Sequence, residues 1–156
     1  MTIEILHKIL IDRGLSVATA ESCTGGLLAA RLTDLAGSSK YFLGSIVSYS
    51  NQVKSSHLQV TEACLRDYGA VSEQSAQAML LGLHDCIPSD IGVSITGIAG
   101  PDGGSASKPV GTVWMGFRVG AKCSTERFQF VGDRHAVRTQ SVAAALEGIL
   151  FRLRQE

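Results

Sequence analysis

Helical and strand-like patterns alternate along this chain, and most strand-like runs end in a polar, glycine-bearing segment. Ile3, Leu6 and Leu10 recur at helical spacing until Gly14, and residues 16–20 (SVATA) form a short β-prone run. Leu27, Leu28, Leu32 and Leu35 give a second helix that Gly37 stops. Residues 41–49 read as a second strand, followed by a short helix that Asn51 can cap and another that Thr61 can cap. Ser72 opens a longer helix with Ala76, Met79, Leu80, Leu83 and Ile87 on one face, and Pro88 ends it. Residues 91–96 are apolar enough to be a buried strand. Residues 112–119 and 124–131 alternate as strands joined by Gly120-Ala121-Lys122, with Phe128 and Phe130 on a common face. Asp133 caps a last helix that turns Val142, Leu146, Ile149 and Leu153 inward. This order predicts a mixed sheet with helices on its faces, an α/β layered domain.

Three polar segments, the first and third rich in glycine, follow a strand directly: residues 21–26, 49–54 and 96–104. In open α/β sheets, ligands bind beyond the carboxyl ends of the strands, so three such loops at one edge mark the place for a site. The first puts Ser22 after a strand and Gly25-Gly26 at a helix start, where converging N–H groups favour an oxyanion. Ser22 and Thr24 could equally serve only as caps. Cys23 is a rival nucleophile, or a small buried hydrophobe. In the second loop, an Asn51 cap would put Lys54 at the third helical position, where the helix dipole and burial lower a lysine pKa. A lysine tuned toward neutrality can take a proton from serine, and Tyr49 could relay a proton or orient the lysine. The plainer readings are a solvated Lys54 and an edge tyrosine with a wet hydroxyl.

The third loop, Thr96 to Ser105, resembles an anion cradle but matches neither GxGxxG nor a P-loop. Arg134, in the first turn of the last helix, either faces water or meets an anion, and Arg138 lies one turn on along the same face. Two arginines at that position suit a phosphate, unless both belong to a solvated face. The four histidines, His7, His57, His84 and His135, lack metal-ligand spacing and read as surface or packing residues.

Size and composition narrow the function classes. A chain of 156 residues predicts a single domain over 1–156, in which roughly 70% of the unfolded surface can be buried. Fourteen basic residues cancel fourteen acidic ones, which argues against a general nucleic-acid binder. The cysteines at 23, 64, 86 and 123 form no CxxC pair, so a zinc knuckle is not expected. MTIEILHKILIDRG carries too many charges for a signal peptide or membrane span, so a cytoplasmic protein with reduced thiols is expected. Charged residues are only 18% of the chain, and the even sign leaves a surface prone to self-association, so a homo-oligomer is expected.

The strings TAESCTGG (19–26), YSNxxK (49–54), GAVSE (69–73), TGIAGPDGG (96–104), KPVGTVW (108–114) and GDR (132–134) together resemble the CinA C-terminal domain family along essentially the whole chain. Longer members carry a further N-terminal domain of molybdopterin-binding type, for which this sequence is too short. The resemblance implies a three-layer α/β/α sandwich with a mixed, mostly parallel sheet and one antiparallel hairpin. It implies hydrolysis of the carboxamide of nicotinamide mononucleotide to nicotinate mononucleotide and ammonia, with no metal and no cofactor. Carried over by motif, Ser22 is the nucleophile, with Tyr49 and Lys54 as helpers. Thr24, Gly25, Gly26, Asn51, Thr96, Gly97, Gly100, Arg134 and Arg138 are the expected substrate-binding residues. Two alternatives remain at this level. One is a non-catalytic interaction module in competence or DNA damage; the other is an amidase for a free carboxamide, which would give the paired arginines nothing to bind.

Overall fold

A computed structural model describes residues 1–156. Its elements are α1 (Thr2–Arg13), β1 (Val17–Glu21), α2 (Leu27–Leu32), β2 (Phe42–Val47), α3 (Asn51–Leu58), α4 (Glu62–Tyr68), α5 (Glu73–Cys86), β3 (Ile91–Gly97), β4 (Thr112–Val119), β5 (Lys122–Gln129) and α6 (Arg134–Leu153). The five strands form one sheet in the order β2-β1-β3-β4-β5. β1 pairs in parallel with β2 and β3, whereas β3 pairs with β4, and β4 with β5, antiparallel. The sheet is therefore mixed, and it has a second antiparallel pairing, β3 with β4, beyond the expected β4–β5 hairpin. That pairing is long-range, which local turn signals do not report.

Helices α1, α2 and α6 cover one face and α3, α4 and α5 the other, which makes the three layers. Side chains alternate accordingly. Val17, Val93, Ile95, Val113, Met115 and Phe117 join Ile3, Leu6, Leu10, Ile149 and Leu153 in the larger core. Ala18 and Ala20 point the other way, to Leu58, Met79 and Leu83. On that face Gly82 lets α5 approach α3, because a Cβ there would lie 1.8 Å from the carbonyl oxygen of Leu58.

Several boundaries differ from expectation, and each difference has a local cause. β2 ends at Val47 rather than at Tyr49: the Ser48 N–H makes the last bond of the β1–β2 ladder, to the Glu21 carbonyl at 2.8 Å, and two residues later Ser50 caps α3. β5 begins at Lys122, because Gly120 takes the left-handed conformation (φ 57°) and completes the turn with Ala121 alone. The cap of α3 is Ser50, whose hydroxyl accepts from the Val53 N–H, so Asn51 is the first helical residue and Lys54 the fourth. Asp133, Thr61 and Ser72 cap α6, α4 and α5 through their side chains. No helix is long and apolar enough to cross a membrane.

Candidate active site

Strand alternation at the end of β1 sends two adjacent side chains to opposite faces of the sheet. Glu21 turns toward α2, and Ser22 turns toward α3. The Ser22 N–H donates to the Ile95 carbonyl at 2.9 Å, which extends the β1–β3 ladder by one residue and fixes the backbone that carries the hydroxyl.

Lys54 comes to Ser22 from α3 and is only 1% exposed. Its Nζ lies 3.0 Å from Ser22 Oγ, 2.8 Å from the Ser48 carbonyl oxygen and 3.3 Å from the Tyr49 carbonyl oxygen. Burial holds its pKa below the usual lysine value, and no carboxylate pairs with it. The partners also decide how the neutral amine sits. The two carbonyls can only accept, so they take its two N–H groups, and its lone pair is left for the Ser22 hydroxyl. With Lys54 protonated, Nζ donates to Ser22 Oγ; once it is deprotonated, the Ser22 O–H can donate to Nζ instead.

Around this pair lies a cleft of about 260 Å³. Ser22, Cys23, Tyr49, Asn51 and Lys54 line one side; Thr96, Gly97, Ile98, Ala99, Gly100, Asp102 and Gly103 line the other; Ala70, Val71 and Arg134 close the ends. All three loops singled out from the sequence meet here. A larger cavity of about 430 Å³ lies between α1, α2 and α6, lined mainly by apolar residues such as Leu27, Val142 and Leu146. It contains no nucleophile–base pair; the serine–lysine pair lies in the smaller cleft.

Within the cleft the fit is close. A Cβ on Gly97 would lie 2.7 Å from Val113 and 3.1 Å from Cys23 Sγ, so only glycine lets β3 pass this near the serine loop. The Thr96 hydroxyl donates to the Ala70 carbonyl at 2.8 Å and ties the α4–α5 connection to the end of β3. Arg134 donates from Nη1 to the Gly100 carbonyl (2.9 Å) and from Nη2 to the Tyr49 hydroxyl (2.8 Å).

Four of the residues expected to bind substrate stand behind the cleft rather than on its lining. Gly25, expected to offer an N–H to an oxyanion, already donates it to the Ser22 carbonyl at 3.0 Å, and Gly26 lies beyond it at the start of α2. The Thr24 hydroxyl donates to Glu21 at 2.7 Å. Arg138 donates to the carbonyls of Cys23 (3.1 Å) and Thr24 (3.3 Å), and so clamps the loop that bears Ser22.

Glu21 organises the start of α2, a role that no motif of the sequence marks. It is fully buried and accepts from the Leu28 and Ala29 N–H groups at 2.9 Å each, as well as from Thr24. A carboxylate next to a helix start was the available signal, since anions favour that end of the macrodipole. Glu21→Ala strands buried donors and should cost about 3 kcal/mol of stability in urea unfolding.

The fold and cleft define a three-layer α/β domain with a buried serine–lysine pair at the carboxyl ends of parallel strands. The model of the CinA C-terminal domain matches residues 2–153, and the chain belongs to that family. It is 48% identical to the nicotinamide-nucleotide amidohydrolase PncC of Enterobacter agglomerans, covering 93% of each chain. It is 49% identical to a CinA-like protein of Citrifermentans bemidjiense over 91% of its own length, but spans only 34% of that relative. Among solved structures, the competence damage-inducible protein A of Klebsiella pneumoniae superposes with a TM-score of 0.94 at 35% identity, covering 98% of this chain and 95% of that one. A competence/damage inducible protein of Agrobacterium tumefaciens gives 0.92 at 38% identity, covering 96% and 92%.

Proposed function

We propose that the chain is a serine amidohydrolase that converts nicotinamide mononucleotide to nicotinate mononucleotide and ammonia, as part of pyridine nucleotide salvage. The observation that carries this reading is the buried Lys54 amine, 3.0 Å from Ser22 Oγ and with no carboxylate partner. The PncC relative of nearly equal length supports the substrate class.

In this mechanism Ser22 Oγ attacks the carboxamide carbon while Lys54 takes the hydroxyl proton. The carbonyl oxygen becomes an oxyanion. Ala99 and Gly100, both buried on the lining, have N–H groups with no partner in the chain, and these are better placed to receive it than Gly25. The C–N bond breaks, and the nitrogen leaves as ammonia with a proton delivered through Lys54 and the Tyr49 hydroxyl. Water then attacks the acyl-serine and gives its proton to Lys54. The C–O bond to Ser22 breaks, the serine recovers its proton, and the carboxylate departs.

Arg134 supplies positive charge for the phosphate, and Asp102, the one carboxylate on the lining, suits the positively charged pyridinium ring. Asn51 and Thr96 contribute polar groups along the ribose. The deciding experiment is ammonia release from nicotinamide mononucleotide and from free nicotinamide side by side. Turnover of the nucleotide is expected; turnover of neither, or of nicotinamide alone, would reject this assignment. Arg134→Ala should lower kcat/KM on the mononucleotide by about 10- to 150-fold, the equivalent of about 1.5–3 kcal/mol for a lost charge-assisted bond.

A further inference from the structure

The proposed mechanism leaves one contact in the cleft unused. The Tyr49 hydroxyl, expected to pass a proton to the leaving group, instead accepts a hydrogen bond from Arg134 Nη2 at 2.8 Å. Tyr49 is 58% exposed and stands on the rim, whereas Lys54 is 1% exposed at the floor. Its backbone carbonyl reaches Lys54, but its hydroxyl touches neither Lys54 nor Ser22. The residue that holds Tyr49 outward is thus the same one that offers a positive charge to an anion. Its other bond, from Nη1 to the Gly100 carbonyl, anchors the guanidinium to the third loop.

A phosphate and a neutral phenol oxygen are unequal competitors for one guanidinium N–H. The guanidinium is ionised in both bonds, but only the phosphate brings an opposite charge, and it can take two N–H groups at once. We propose, building on the nucleotide amidohydrolase reading, that Arg134 and Tyr49 form a specificity latch. An arriving phosphate draws Nη2 away from Tyr49, and the released hydroxyl turns inward over Ser22 and Lys54. The phosphate binds the open arrangement better than the closed one, and this difference in affinity is what drives the change. Its presence is then read in kcat and not only in KM, and a substrate without phosphate leaves the hydroxyl tethered on the rim.

The test separates the phosphate from the reacting part of the substrate. Ammonia release is measured on nicotinamide mononucleotide, and on nicotinamide riboside at saturation with and without phosphite dianion. Phosphite should raise kcat on the riboside about tenfold or more in the wild type. It should have no effect in Arg134→Ala, which has no latch to open, and almost none in Tyr49→Phe, which has no hydroxyl to release. If the mononucleotide is turned over but phosphite leaves the wild-type riboside kcat unchanged, the latch is wrong and the phosphate serves affinity alone. A full phosphite response in Tyr49→Phe would overturn it equally. If the mononucleotide itself releases no ammonia, the functional reading falls and the latch falls with it.

Discussion

Lys54→Met should lower ammonia release from nicotinamide mononucleotide by about a thousandfold or more, with the fold retained. Methionine fills the volume of the lysine stem but has no lone pair basic enough for the Ser22 proton. Lys54→Arg should fail as badly, because a guanidinium keeps its proton throughout the usable pH range. In the wild type, kcat/KM should rise with pH through the lowered Lys54 pKa, since only the neutral amine is a base. The same shift has a stability signature. Burial favours the neutral amine in the folded state, whereas the unfolded lysine keeps its proton up to about 10.5. Between the lowered value and 10.5, the unfolded chain binds more protons, so wild-type stability rises with pH across that window. Lys54→Met lacks this component. Urea midpoints followed from neutral to alkaline pH should therefore show the wild type gaining on the variant. Parallel curves would mean that Lys54 is not desolvated, and near-normal turnover in either variant would remove it as the base.

The parts of this molecule governed by short-range pattern were legible in the sequence. The spacing of Ile3, Leu6 and Leu10 and of Ala76, Met79, Leu80, Leu83 and Ile87 identifies the inward faces of α1 and α5; all are buried except Ile87, which is half-buried just past the end of α5. The three polar loops can be read because a strand that ends in such a loop at the carboxyl edge has one place to put it, and Ser22, Lys54 and Gly97 meet there. What the sequence left hidden depends on where hydrogen bonds go across long separations. Nothing near Arg138 says that its guanidinium reaches the carbonyls of Cys23 and Thr24 more than a hundred residues earlier. Nothing near Gly25 says that its N–H is already committed to Ser22. Ser50 and Asn51 are both good caps by residue type, and only the backbone geometry gives the cap of α3 to Ser50. Glu21 looked like the first residue of a loop. It is the last residue of a strand, and the alternation of that strand carries its carboxylate to the start of α2.

Ser22→Ala should abolish turnover to within about the residual rate that binding and oxyanion donors alone support, while Cys23→Ala keeps most of it. The two residues are adjacent, and both lie on the lining, so location does not distinguish them. Their surroundings do. Ser22 Oγ is 3.0 Å from the Lys54 amine, but no base is hydrogen-bonded to the Cys23 sulfur. Burial pushes the Cys23 thiol up to about 11, so at pH 7 only about one molecule in ten thousand carries the thiolate. The thiol packs instead: it lies beside Gly97, whose missing Cβ makes room for it, and it belongs to the larger apolar core. Cys23→Ala is therefore expected to cost stability, about 1 kcal/mol for a small buried group, without removing the chemistry. The backbone at both positions is held by the Ser22 N–H on Ile95 and by Arg138 on the Cys23 carbonyl, so neither substitution should displace the loop. With Cys64, Cys86 and Cys123 replaced by serine, the enzyme should resist iodoacetamide at neutral pH. Rapid alkylation at Cys23 with matching loss of turnover, or equal loss in the two alanine variants, would transfer the nucleophile from Ser22 to its neighbour.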